Sequence, residues 1–234
     1  MKAAFSKAEL QAEIATRFVD AFRIHEKTVV ETLSTGISEI DALTGGLPRG
    51  AISELFGPAS SGRTSLMYSL LTYATTHEET CALIDLHDVF APAAAVSAGM
   101  NFDRLLWVRC AGNLEPAFKA TDLLLHAGGF GLVVLDLGDV PGKEARRIIS
   151  SWWYRFRRTV EDRPTVLTVI SEEACTRSCA ALALELNGAA EWSRVSLKRG
   201  IGSLLRHNAI RVNRQRPISP WVNQSQFSAA GLAV

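Results

Sequence analysis

Gly57-Pro58-Ala59-Ser60-Ser61-Gly62-Arg63-Thr64 meets the phosphate-cradling pattern G-x-x-x-x-G-K-[ST] at every position but the seventh, where arginine stands in the lysine's place. Such a loop works through three parts. Its glycines let backbone N-H groups curl around a phosphate, a compact ammonium reaches the outer oxygens, and a hydroxyl holds Mg²⁺. Here the curl and the hydroxyl, Thr64, are kept, and Ser65 follows it. Arginine keeps the charge but is a wider planar fork, suited to holding a phosphate and poorly shaped to guide transfer of the terminal one. The loop therefore points to binding more than to hydrolysis.

A second acidic position completes the pattern. In Gly131-Leu132-Val133-Val134-Leu135-Asp136 an apolar run ends on a carboxylate. An acid at the C-terminal tip of a buried strand lies beside the loop and can orient water on Mg²⁺. Thr64 and Asp136 are the candidate Mg²⁺ residues.

The surrounding elements have the order that these residues need. Ala51 to Phe56 reads as a strand entering the loop, and Thr64 to Ala74 as the helix leaving it, with Leu66, Met67, Leu70 and Leu71 at helical spacing. Strands are expected at Thr80–Leu86, Leu105–Val108, Gly131–Asp136, Thr165–Ile170, Trp192–Leu197 and Ala209–Val212. Helices are expected in a short Ala-rich stretch after the second strand, at Leu114–His126 and at Lys143–Val160. Ala180 to Leu186 reads as a short apolar helix. This alternation gives an α/β fold with a mainly parallel twisted sheet flanked by helices.

Ser6-Lys7-Ala8-Glu9 has the form of a capping box, and Leu10, Ile14, Phe18 and Phe22 form one stripe, so residues 1–33 read as a helical extension. The core is expected over 34–221 and a loosely ordered tail over 222–234.

At 234 residues, 47% hydrophobic and 21% charged, the chain can bury a sizeable core. No apolar run approaches the roughly 20 residues of a membrane span, so a cytoplasmic protein is expected. Four cysteines form neither a paired framework nor two C-x-x-C knuckles, and read as reduced thiols. The net charge of +1 hides an asymmetry: residues 1–139 carry ten Lys/Arg against seventeen Asp/Glu, and residues 140–216 carry fifteen against seven. A basic half suits a polyanion, a solvated face or a subunit interface. Its densest stretch holds Arg146, Arg147, Trp152, Trp153, Arg155, Phe156, Arg157 and Arg158. Trp152 and Phe156 are expected in the core, leaving arginines for single-stranded DNA or a partner.

From Ser34-Thr35-Gly36 to Asp136 the order and spacing resemble the RecA recombinase core. Gly57 to Thr64 is similar to that family's GPESSGKT, Ile84-Asp85-Leu86-His87-Asp88-Val89-Phe90-Ala91-Pro92 to its IDAEHALDP, and Arg214-Gln215-Arg216 to its KNK segment. The resemblance implies a phosphate-loop nucleotide-binding core that takes ATP and Mg²⁺ and pairs with further copies. Arg214 and Arg216 would reach the nucleotide of an adjacent subunit. It places His87 where the family has its water-activating glutamate, with Asp88 beside it, and Glu172 where the family has its sensing glutamine.

The loops that hold DNA in that family have no close counterpart here, and its large C-terminal domain is not read after residue 221. A shortened core with an altered ATP site resembles the ImuA type of RecA-related protein. That resemblance implies an accessory role in the SOS response to DNA damage and in mutagenic translesion synthesis, beside a translesion polymerase or its pseudo-polymerase adaptor. A DNA-dependent ATPase and recombinase is the alternative, and an SOS inhibitor of cell division a third.

Overall fold

The computed structural model describes residues 31–138, 140–145 and 147–187, and the backbone of 209–214 and 225–226. The expected N-terminal helix and the strand at 192–197 lie outside the described residues.

Ten strands are described. β1 (Thr32–Leu33) and β2 (Leu47–Pro48) form a small antiparallel pair. Between them lies α1 (Ser38–Thr44), closed by Gly45 in the left-handed region. Asp41 reaches back from this helix to the Thr35 N-H at 2.8 Å and the Thr35 hydroxyl at 2.9 Å, which ties the turn to the helix. The other strands are β3 (Ala51–Phe56), β4 (Cys81–Asp85), β5 (Leu105–Arg109), β6 (Leu132–Leu137), β7 (Val166–Ser171), β8 (Ala180–Asn187), β9 (Ala209–Arg214) and β10 (Ser225–Gln226). They make one sheet in the order β10-β9-β8-β3-β7-β6-β4-β5. The six strands from β8 to β5 are parallel; β9 and β10 each run antiparallel to their neighbour. β10 falls in the stretch read from sequence as a loosely ordered tail.

A strand buried on both faces must be apolar at every position, and alternate residues must serve different cores. Leu132 and Val134 of β6 pack with Leu66, Leu70 and Leu71 of α2 (Arg63–Thr76) and with Ala95 of α3 (Pro92–Ser97). Val133, Leu135 and Leu137 pack on the other face with Phe118 and Leu125 of α4 (Leu114–Ala127). The sheet is thus covered on both sides, and the α/β reading holds.

Two sequence expectations are corrected. Ala180–Leu186 is not a helix but most of β8, parallel to β3 and antiparallel to β9. Alanine and leucine favour helix locally, but Leu182, Leu184 and Leu186 two residues apart all join one core, and sheet pairing outweighs propensity. The helix expected over Lys143–Val160 is two pieces, α5 (Gly142–Ala145) and α6 (Ser150–Val160). Ile149 is extended at φ −64°, ψ 124° and caps α6. The core place expected for Phe156 holds. Trp153, Phe156 and Val160 are fully buried, so Trp153 takes the core place expected for Trp152, which is only half-buried beside Phe118.

All four cysteines are free and buried. Burial pushes the Cys81 thiol from its ordinary 9.0 up to about 12, and raises Cys175 as well, with the Glu54 carboxylate adding to the effect. A thiol raised by folding contributes stability that is present below its unfolded pKa and lost as pH climbs through its folded one. Unfolding free energy is therefore expected to fall between pH 9 and about 12, measured by urea titration across that range. At pH 8 a colorimetric disulfide reagent should react fast with the urea-unfolded chain and slowly with the native one.

Candidate functional site

The residues singled out in the sequence gather at the C-terminal ends of the parallel strands. In open α/β sheets that edge is where ligands bind. Register brings β3 beside β7, β7 beside β6 and β6 beside β4, pairing Phe56 with Ser171, Leu137 with Ser171 and Asp136 with Asp85.

Gly57 opens the loop in a place where no side chain fits. A Cβ there would collide with the backbone carbonyl of Leu186 and press on the Ser61 hydroxyl. The Gly57 N-H donates to the Glu172 carbonyl at 3.2 Å, so the loop leans on the segment that follows β7. Pro58, Ala59 and Ser60 are exposed at the crown, and Ser61 is buried. Ser60 takes φ 63° and Gly62 φ 95°. Gly62 then caps α2 with no side-chain hydrogen bond. The N-terminus of a 14-residue helix attracts an anion through its backbone N-H groups and the helix dipole. Thr64 is exposed and Ser65 half-buried at that start.

Arg63 leaves the loop and crosses the tip of β7. Its Nη1 donates to the Gly138 carbonyl at 3.0 Å. The N-H of the same Gly138 donates to Asp136 Oδ1 at 2.8 Å. The arginine and the acid therefore converge on one glycine at the end of β6.

His87 and Asp88 lie on the loop after β4. Asp85, fully buried, anchors that loop by accepting from Val89 N at 3.1 Å, Phe90 N at 3.0 Å and Trp107 Nε1 at 3.1 Å. Above this anchor His87 is exposed, and Asp88, at φ 61°, pairs with Arg109 at 3.0 Å. Arg109 in turn lies 5.3 Å over the Trp107 ring. Asp88 thus gives its Oδ2 to a cation at the edge of the sheet, while its Oδ1 is buried with no hydrogen-bond partner.

The Glu172 side chain is exposed, and its backbone serves the loop instead. What fixes this segment is Glu54, which sequence reasoning missed. Glu54 sits on β3, 1% exposed, and its carboxylate accepts from Cys175 N at 2.6 Å, Thr176 N at 3.0 Å and Thr176 Oγ1 at 2.6 Å. The available signal was a lone acid inside the apolar run Ala-Ile-Ser-Glu-Leu-Phe.

Residues 8–144 match the family model of the RecA N-terminal domain, more than half of the chain. The chain belongs to the RecA family. Protein RecA of Rickettsia canadensis (strain McKiel) is 38% identical over 109 residues, covering 46% of this chain and 32% of that protein. Protein RecA of Rickettsia bellii (strain RML369-C) is 37% identical over 109 residues, with the same coverage. The chain spans about a third of the length of the curated relatives it matches. The RecA match contains the phosphate loop, His87, Asp88 and Asp136, and reaches back to residue 8. Glu172, Arg214 and Arg216 lie beyond it; Arg214 ends β9, and Arg216 is outside the described residues.

The basic stretch is less open to DNA than its sequence suggested. Arg155 is bidentate to Asp122 of α4, both contacts at 2.6 Å, and Arg157 pairs with Glu161 at 3.0 Å. Both cations already have acidic partners. Among the described residues no helix is long and apolar enough to cross a membrane.

Proposed function

We propose that this RecA-family chain is an ATP-binding accessory protein of DNA damage repair, acting in translesion synthesis through partner contacts, with little or no turnover of the nucleotide. The observation that carries the proposal is the division within the site. The groups that bind phosphate are intact: Gly57, Gly62, Thr64 and the start of α2, which has no side-chain cap. The water-activating position is altered on this reading: the resemblance puts the exposed His87 where the family has its glutamate, and Asp88 beside it gives one carboxylate oxygen to Arg109. A general base must be within hydrogen-bond reach of the proton it removes and free to accept it.

Family membership brings ATP and Mg²⁺ as the expected ligands. For Mg²⁺ the donor types are suitable, a Thr64 hydroxyl and an Asp136 carboxylate. The surroundings of Asp136 are not, because the Arg63 guanidinium is docked on the glycine that holds it.

Calorimetric titration of the chain with ATP is expected to show binding. Phosphate release, with or without single-stranded DNA, is expected to stay at least 100-fold below the roughly 10 s⁻¹ of a typical enzyme. Brisk DNA-stimulated release would replace this reading with that of a recombinase.

A further inference from the structure

Arg63 does more than stand in for a lysine. The loop ends β3, and β6 lies two strands away, roughly 10 Å at the usual spacing. The arginine spans that gap and places its guanidinium on the Gly138 carbonyl. A Cβ on Gly138 would meet Asp136 Oδ1 at 2.9 Å and Arg63 Nη1 at 3.6 Å. The carboxylate and the guanidinium therefore lie against the same small residue, which has no side chain to keep them apart.

We propose that Arg63 replaces the divalent cation at this site, so that the loop binds a nucleoside triphosphate in its metal-free form. This rests on the nucleotide reading above. A metal held between Thr64 and the nucleotide needs Asp136 as the counter-charge for its water shell. Here the guanidinium is bonded to the carbonyl of the glycine whose N-H that acid accepts, which brings a fixed positive charge to its neighbourhood, and a guanidinium cannot give up its proton to make way. A second cation beside it would be repelled, and the repulsion is weakly screened in a half-buried site. The same guanidinium, with five donors in a fixed fork, can bond the Gly138 carbonyl through one N-H and phosphate oxygens through others. Lysine, a point charge on a shorter reach, would leave Gly138 and free Asp136 to support a metal.

ATP is titrated into the full chain in excess chelator and again in excess Mg²⁺. Wild-type affinity is expected to differ by less than about threefold between the two, and Arg63→Lys to differ by at least about tenfold, tighter with Mg²⁺. Asp136→Asn, which keeps the shape of the turn, should bind ATP in chelator as tightly as wild type or more so, because Arg63 loses its competing anion; circular dichroism confirms that both variants fold. Wild-type binding that appears only with Mg²⁺ overturns the proposal and leaves nucleotide binding standing. Weaker binding of Asp136→Asn in chelator also overturns it. No binding in either buffer overturns the nucleotide reading itself.

Discussion

Glu54→Ala is expected to lower the unfolding free energy by about 3–5 kcal/mol, since two backbone N-H groups and one hydroxyl lose their acceptor in a site closed to water. Thr176 is fully buried and Cys175 nearly so. For a domain of this size that loss corresponds to a fall in melting temperature of roughly 10 °C. Glu54→Gln keeps the shape and one acceptor oxygen, and the Thr176 hydroxyl can turn to accept from the new amide, so about half of the loss is expected. Urea denaturation with an unchanged slope checks both variants. A cost below about 1 kcal/mol would mean that water enters and satisfies the donors. The effect should also reach the phosphate loop, because Glu54 fixes residues 175 and 176 and the Glu172 carbonyl beside them receives the Gly57 N-H. Weaker ATP binding by Glu54→Gln, at temperatures where it remains folded, is the readout for that link.

The legible parts of the chain were those whose signal is local. The loop from Gly57 to Thr64 carries its glycines, cation and hydroxyl in one stretch, and β4, β6 and β7 are continuous apolar runs because both their faces are covered. β8 was misread because alanine and leucine serve helix and strand alike, and its strand state depends on β3 and β9, far away in sequence. On α6 Phe156 was placed correctly and Trp152 was read for Trp153, because the break before Ser150 is not marked by proline or glycine. Asp122 lies 33 positions before Arg155, so that pairing left no trace in the sequence. Glu161, four residues after Arg157, was within reach of helix spacing and marks the cation as locally neutralised.

Within the site the same distinction holds. The identity of Arg63 is plain in the sequence, but its direction is not. A side chain on the first turn of α2 could fold over the crown of the loop or extend across the sheet; the position of Gly138, with nothing beyond its Cα, admits the second. Asp88 was likewise readable as a spare base until Arg109, on the neighbouring strand, came beside it.

Gly57→Ala is expected to cost more than its single methyl suggests and to abolish ATP binding at ordinary concentrations. The backbone at Gly57, φ 157°, is one that residues with a side chain rarely adopt, but this strain is the smaller obstacle. Space is the larger: the new Cβ meets the Leu186 carbonyl, a backbone atom of β8 that cannot rotate away. Either the loop lifts from β8 or β8 shifts against β3, and forcing a methyl into packed backbone costs about 1–3 kcal/mol, occasionally more. Gly129→Ala provides the comparison, because Gly129 has φ 80° and nothing within 4 Å of the added methyl, so only the left-handed backbone is penalised, by about 1–2 kcal/mol. ATP affinity should be lost in the first variant and kept in the second, even where thermal denaturation shows similar losses of stability. If Gly57→Ala binds ATP as the wild type does, the loop is not the phosphate cradle, and the ligand of this sheet edge lies elsewhere.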